Sequence, residues 1–92
     1  MKVPAFSIRD AVAQVFHAPF CAPNAAVAAR HFEDEQGSAD SVYGKHPYDY
    51  ALFETGTFDN ETGLTEPYKN PVYIAGATDA YRELKLTEAS NG

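Results

Sequence analysis

Ninety-two residues and a mass of 10.0 kDa allow one small domain, because single cores usually run to about 100–150 residues. Hydrophobic residues make up 45% and charged residues 22%, which argues against disorder of the whole chain, and no stretch approaches the roughly 20 apolar residues of a membrane span. Seven Lys and Arg against 13 Asp and Glu give a net charge of −6, which disfavours unselective duplex-DNA binding and docking on anionic lipid, since both draw affinity from a basic excess.

Residues Lys2 to Arg9 and Val12 to Phe20 predict two strands flanking Arg9-Asp10-Ala11. In the first, Pro4, Phe6 and Ile8 alternate with Val3, Ala5 and Ser7, the period of a half-buried strand. Pro4 lacks a donor and belongs near a strand start or an edge. In the second, Val12, Phe16 and Phe20 are expected to share one face, with Pro19 ending or bulging the strand.

Pro23-Asn24 reads as a helix start, Asn24 being a good N-cap. Ala25, Ala28, Ala29 and Phe32 then fall at i, i+3, i+4 and i+7, the apolar face of an amphipathic helix. Gly37 supplies the stop. Gly37 to Lys45 is expected to be a polar loop, followed by a single helical turn in His46-Pro47-Tyr48-Asp49-Tyr50, with Pro at the first helical position.

Tyr50 to Phe58 predicts an aromatic strand, Asp59-Asn60-Glu61-Thr62-Gly63 a turn, and Leu64 to Ala75 a return strand. Pro67 and Pro71 suggest that order in the return strand begins only near Pro71. Asp79 to Leu86 suits a short helix and Thr87 to Gly92 a frayed tail. The order β-β-α-β-β defines an α+β domain over residues 1–76, an antiparallel sheet of about four strands with one helix on it, and an extension over 77–92.

Catalytic and metal-binding patterns are missing from the chain. His17, His31 and His46 lack the closely spaced partners of a zinc site, and Cys21 is expected to be a small core cysteine in a reduced compartment. The run from Asp59 to Gly63 has Asp at the first position of a calcium loop but fails the remaining spacing. Neither a phosphate-cradling glycine pattern nor a GxSxG elbow nor an HExxH pair is present. The expectation is a noncatalytic protein with no cofactor. What remains is an aromatic set: Phe16, Phe20, Tyr43, Tyr48, Tyr50, Phe53, Phe58, Tyr68 and Tyr73. Part of it must build the core, and part could stack on bases of a single strand, which needs no sequence match.

Ala18-Pro19-Phe20, Asn24, Ala28-Ala29-Arg30-His31-Phe32, His46-Pro47-Tyr48-Asp49-Tyr50 and the run from Gly56 to Gly63 follow one another in a recognisable order. Over residues 3 to 74 the chain resembles the small nonstructural protein of gokushovirus-type microviruses. The resemblance implies a protein of a small single-stranded DNA phage, acting in the bacterial cytoplasm, described in part as DNA-binding and linked to genome synthesis or the switch to packaging. It carries over no catalytic residue.

Two functions follow as expectations: a single-stranded-DNA-binding or replication and packaging accessory factor, or a protein-interaction module without nucleic-acid binding. For the first, Arg9, Lys45 and Lys69 are the candidate phosphate contacts and Tyr48, Tyr50 and Tyr73 the candidate stacking residues. A viral or host replication or assembly protein is the expected partner for the second. Strand-rich edges on so small a domain also suggest a homodimer. Sedimentation at micromolar concentration should then report about twice the chain mass; a stable species at the 10.0 kDa chain mass would rule the dimer out.

Overall fold

Strand β1, Lys2–Asp10, lies inside the sheet of a computed structural model that describes residues 1–76. The helix expected at Asp79–Leu86 and the tail after it lie outside the described residues. The other elements are β2 (Val15–Phe16), β3 (Phe20–Cys21), α1 (Ala25–Gln36), α2 (Val42–Lys45), a 3-10 turn (Pro47–Asp49), β4 (Tyr50–Asp59) and β5 (Thr65–Gly76). All pairings are antiparallel, in the order β2-β1-β4-β5, with β3 also on β1. The fold is the expected α+β arrangement of an antiparallel sheet with one main helix, and the sheet has five strands among the described residues where about four were expected.

The fifth strand arises because the segment Val12–Phe20 is not one continuous strand. The Asp10 carboxylate accepts from the backbone N–H groups of Val12 (3.0 Å) and Ala13 (3.1 Å), which closes a turn over residues 11–14, with Gln14 at φ 60°. Val12 is thereby left exposed. Beyond the turn, β2 pairs with Arg9 and Asp10 and β3 pairs with Ala5 and Phe6. The two are pieces of a single interrupted edge, and Pro19, which has no N–H for the ladder, falls in the break. Phe16 and Phe20 end on opposite faces: Phe20 packs on Phe6 at 5.9 Å and Phe16 on Phe53 at 5.5 Å.

Helix α1 forms as its pattern predicts. The Asn24 side chain accepts from the Val27 N–H at 2.9 Å, and the Gly37 N–H closes the far end on the Glu33 carbonyl. Ala28 and Phe32 are buried, and they meet Phe6, Leu52, Ala22 and Tyr50 in the main core. The expected loop from Gly37 to Lys45 contains a helical turn, α2, because the Ser41 hydroxyl caps it by accepting from Tyr43 N–H. This turn swings Tyr43 onto Phe32 and Tyr50.

Strand β5 runs from Thr65, not from Pro71. Both prolines are tolerated because β5 is the sheet edge. Register jumps from Glu54↔Val72 to Gly56↔Pro67, so residues 68–71 bulge opposite Thr55. Gly56 sits where a Cβ would come 2.3 Å from the Glu66 carbonyl oxygen and 2.9 Å from Pro67 Cα; only glycine lets the two strands approach so closely. At the hairpin tip Gly63 has φ +77°, a left-handed conformation in which glycine is unstrained. The Asp59 carboxylate accepts from the Glu61 and Thr62 N–H groups. The Glu61 contact is the main reason its carboxyl is held below the usual range.

Phe32→Ala should open a cavity beneath the sheet and cost ~3–5 kcal/mol, a large share of the stability of a small domain. Gly56→Ala should wedge β4 from β5 and cost about 1–3 kcal/mol by overpacking. Denaturant unfolding of both variants measures these losses.

Candidate functional site

Consecutive residues of a strand point to opposite faces, and on β4 this separates Tyr50 and Leu52 from Ala51 and Phe53. The first pair joins the core under α1. The second forms a smaller cluster of its own with Ala11, on the face turned away from α1. Register then fixes what surrounds Phe53. Ser7 of β1 and Tyr73 of β5 are its direct partners, and Arg9 pairs with both Ala51 and Phe16.

A row of side chains crosses this face. The Arg9 guanidinium lies over the Phe16 ring, 5.3 Å from its centroid. Phe16 meets Phe53 edge-on at 5.5 Å, and Phe53 meets Tyr73 edge-on at 5.8 Å. Ser7, small enough to let Phe16 reach Phe53 across it, is 2% exposed, and its hydroxyl donates to the His17 carbonyl. Each edge-on contact is worth about 0.5–1.5 kcal/mol beyond burial. Phe16 and Tyr73 nevertheless keep 40% and 37% of their surface exposed. The Arg9 Nε is buried and has no hydrogen-bond acceptor.

The six sequence-predicted residues do not form one site. Arg9 and Tyr73 stand on this face, and Lys69 is exposed in the bulge of the adjoining edge strand. Lys45 ends α2, which packs on α1 in the helical layer. Tyr48 is exposed on the 3-10 turn beside α2. Tyr50 is a correction: at 7% exposure it belongs to the core, its ring packed against those of Tyr43 and His17, so it offers no face for stacking. Phe16 and Phe53 are the members that residue choice from sequence passed over. Their signal was the turn at Asp10, which brings Phe16 back opposite Arg9.

The other reactive side chains are dispersed. Cys21, expected in the core, is exposed and free on β3, because the buried neighbour on that segment is Ala22. His17 Nδ1 and the Tyr43 hydroxyl share a hydrogen bond of 2.9 Å. Among the described residues no three His, Cys, Asp or Glu side chains cluster as a metal site would require, and no helix is long and apolar enough to cross a membrane.

A five-stranded antiparallel sheet with one main helix, and a cation-aromatic row on its other face, thus defines a small α+β module over the described residues. The chain belongs to the phage ORF5 protein family, whose model matches residues 3–80; it is a bacteriophage protein. Comparison with curated proteins and with solved structures gave no match.

Tyr43, Tyr50 and Tyr68 have hydroxyl groups held above their usual range. Burial is the leading cause at Tyr43 and Tyr50, and the hydrogen bond to Glu54 at Tyr68. A raised folded pKa favours the neutral phenol in the native state. Its stabilisation is complete below the unfolded value of about 10 and is lost as pH rises through the folded one. Melting temperatures should therefore fall steeply above about pH 10, and Tyr50→Phe should flatten that fall.

Proposed function

We propose that this phage ORF5-family chain is a noncatalytic, nonstructural protein of a gokushovirus-type phage that binds single-stranded DNA during genome synthesis or packaging. It would act in the bacterial cytoplasm, as a homodimer. The supporting observation is the row of Arg9, Phe16, Phe53 and Tyr73 on the sheet face turned away from α1. Single strands present unpaired π-faces and phosphates, and proteins that bind them combine aromatic platforms with cations along a track. Duplex DNA hides its base faces, so only its phosphates would remain as contacts.

The net charge of −6 favours a second reading, in which the same surface recruits a viral or host replication or assembly protein. A negatively charged chain can hold a polyanion only through a local site, and its affinity then leans on stacking more than on counterion release.

Titration with labelled oligonucleotides at two salt concentrations separates the two. The DNA reading expects micromolar or weaker binding, preference for single strands over duplex, and a shallow salt slope of about −1.4, as two phosphate contacts at Arg9 and Lys69 would give. Lys69→Glu should weaken binding without lowering the melting temperature. Absence of binding at low salt, together with stoichiometric capture of a protein partner, would establish the interaction module instead.

A further inference from the structure

We infer that Phe16 and the pocket beside it hold one nucleobase of the bound strand, with Arg9 taking the neighbouring phosphate. This rests on the single-strand reading above and gives that surface a defined subsite. The pocket is lined by Ser7, Phe16, His17, Pro19, Thr55 and Pro71 and has a volume of about 240 Å³. That is smaller than the ~300–1,000 Å³ of drug-sized ligand sites, and it suits a single flat ring. Its walls come from segments the fold has pulled out of the regular ladder: Pro19 from the break between β2 and β3, Thr55 and Pro71 from the bulge between β4 and β5. The Phe16 and proline rings supply apolar surface for the π-face of any base.

The polar half of the subsite is Arg9. Its guanidinium already lies on the Phe16 ring, and its buried Nε hydrogen has no acceptor. The buried Nε fixes the stem, while the residue as a whole is only half-buried, so the terminal nitrogens of the guanidinium are the donors a phosphate meets. A planar guanidinium matches the paired oxygens of a phosphate. Phe16 thus joins the two halves, lining the pocket and holding the cation.

Two probes at low salt test the full-length protein: a fluorescein-labelled oligothymidylate, and a base-free deoxyribose-phosphate strand of equal length. Phe16→Leu keeps apolar volume but removes the ring. It should weaken oligothymidylate binding by about fivefold to a hundredfold and base-free binding by clearly less, the latter only through the loss of the ring under Arg9. Arg9→Gln should weaken both. In the wild type, the amide resonances of Ser7, His17 and Thr55 should shift on adding oligothymidylate, a readout that holds even if a variant folds poorly. Wild-type binding that neither variant changes, with those amides unmoved, overturns the subsite while the single-strand reading stands. Failure of the wild type to bind oligothymidylate overturns both, and binding of an acidic peptide in its place assigns the Arg9 donor to a carboxylate.

Discussion

Four successive residues of β4, Tyr50, Ala51, Leu52 and Phe53, are buried, with exposures from 0 to 7%. Since adjacent residues of a strand face opposite ways, the sheet must be covered on both sides at this point. Helix α1 covers one side through Ala28 and Phe32. On the other, the cover comes from side chains laid across the sheet: Phe16 from the edge beside β1 with Arg9 over its ring, and Tyr73 from β5. Much of the remaining architecture follows from this need. The turn at Asp10 returns Phe16 to the right height, and Ser7 stays small so that Phe16 can pass over it to Phe53. The bulge at Leu52/Phe53 lets Ile74 and Ala75 both join the main core while Tyr73 pairs with Phe53 on the far side.

Such a cover is thin. Phe16 and Tyr73 protect Phe53 and stay partly exposed themselves, whereas Phe6, Phe32 and Leu52 on the helical side are almost wholly sequestered. A surface of this kind is firm in position, because its rings are held edge-on by neighbours, and still has ring area left to give. That combination of rigid placement and residual aromatic surface distinguishes the two faces of the sheet. Tyr43 and Tyr50 are as aromatic as Phe16 and Tyr73, but Tyr43 packs from α2 onto Tyr50, and both serve the core on the helical side.

The elements most legible in the sequence were those set by local chemistry. Asn24, the alanine stripe and Phe32 specify α1 through capping and periodicity, and Asp59 with Gly63 specifies the hairpin through side-chain acceptance and a left-handed residue. Less legible were features decided by partners distant in sequence. The break between β2 and β3 depends on how β1 pairs with both pieces, and β5 could accept Pro67 and Pro71 only because it is an edge, a fact of strand order. Ser41 was a readable cap for α2, but its neighbours in the polar run masked it. For the candidate site, Arg9 and Tyr73 were found as residue types. Their link through Phe16 and Phe53 needed the register, and Tyr50 was misassigned because aromatic content says nothing about which face a ring occupies.

The segments that mark the family resemblance can be sorted by what they do in the fold. Asn24 caps α1, Pro47 opens the 3-10 turn, and the Asp49 carbonyl accepts from Ala11 N–H, tying that turn to the end of β1. Gly56 permits the close crossing of β4 and β5, and Asp59 and Gly63 build the hairpin tip. Each answers a backbone requirement: an orphan N–H, a positive φ, or an approach too close for a Cβ. A motif of this kind records how the chain folds, and identical motifs could support different surfaces. Arg9, Phe16, Phe53 and Tyr73 lie outside those segments yet within the matched span of residues 3–80. What the motif residues do is hold the strands in the register that lays Arg9, Phe16, Phe53 and Tyr73 in one row on the far face.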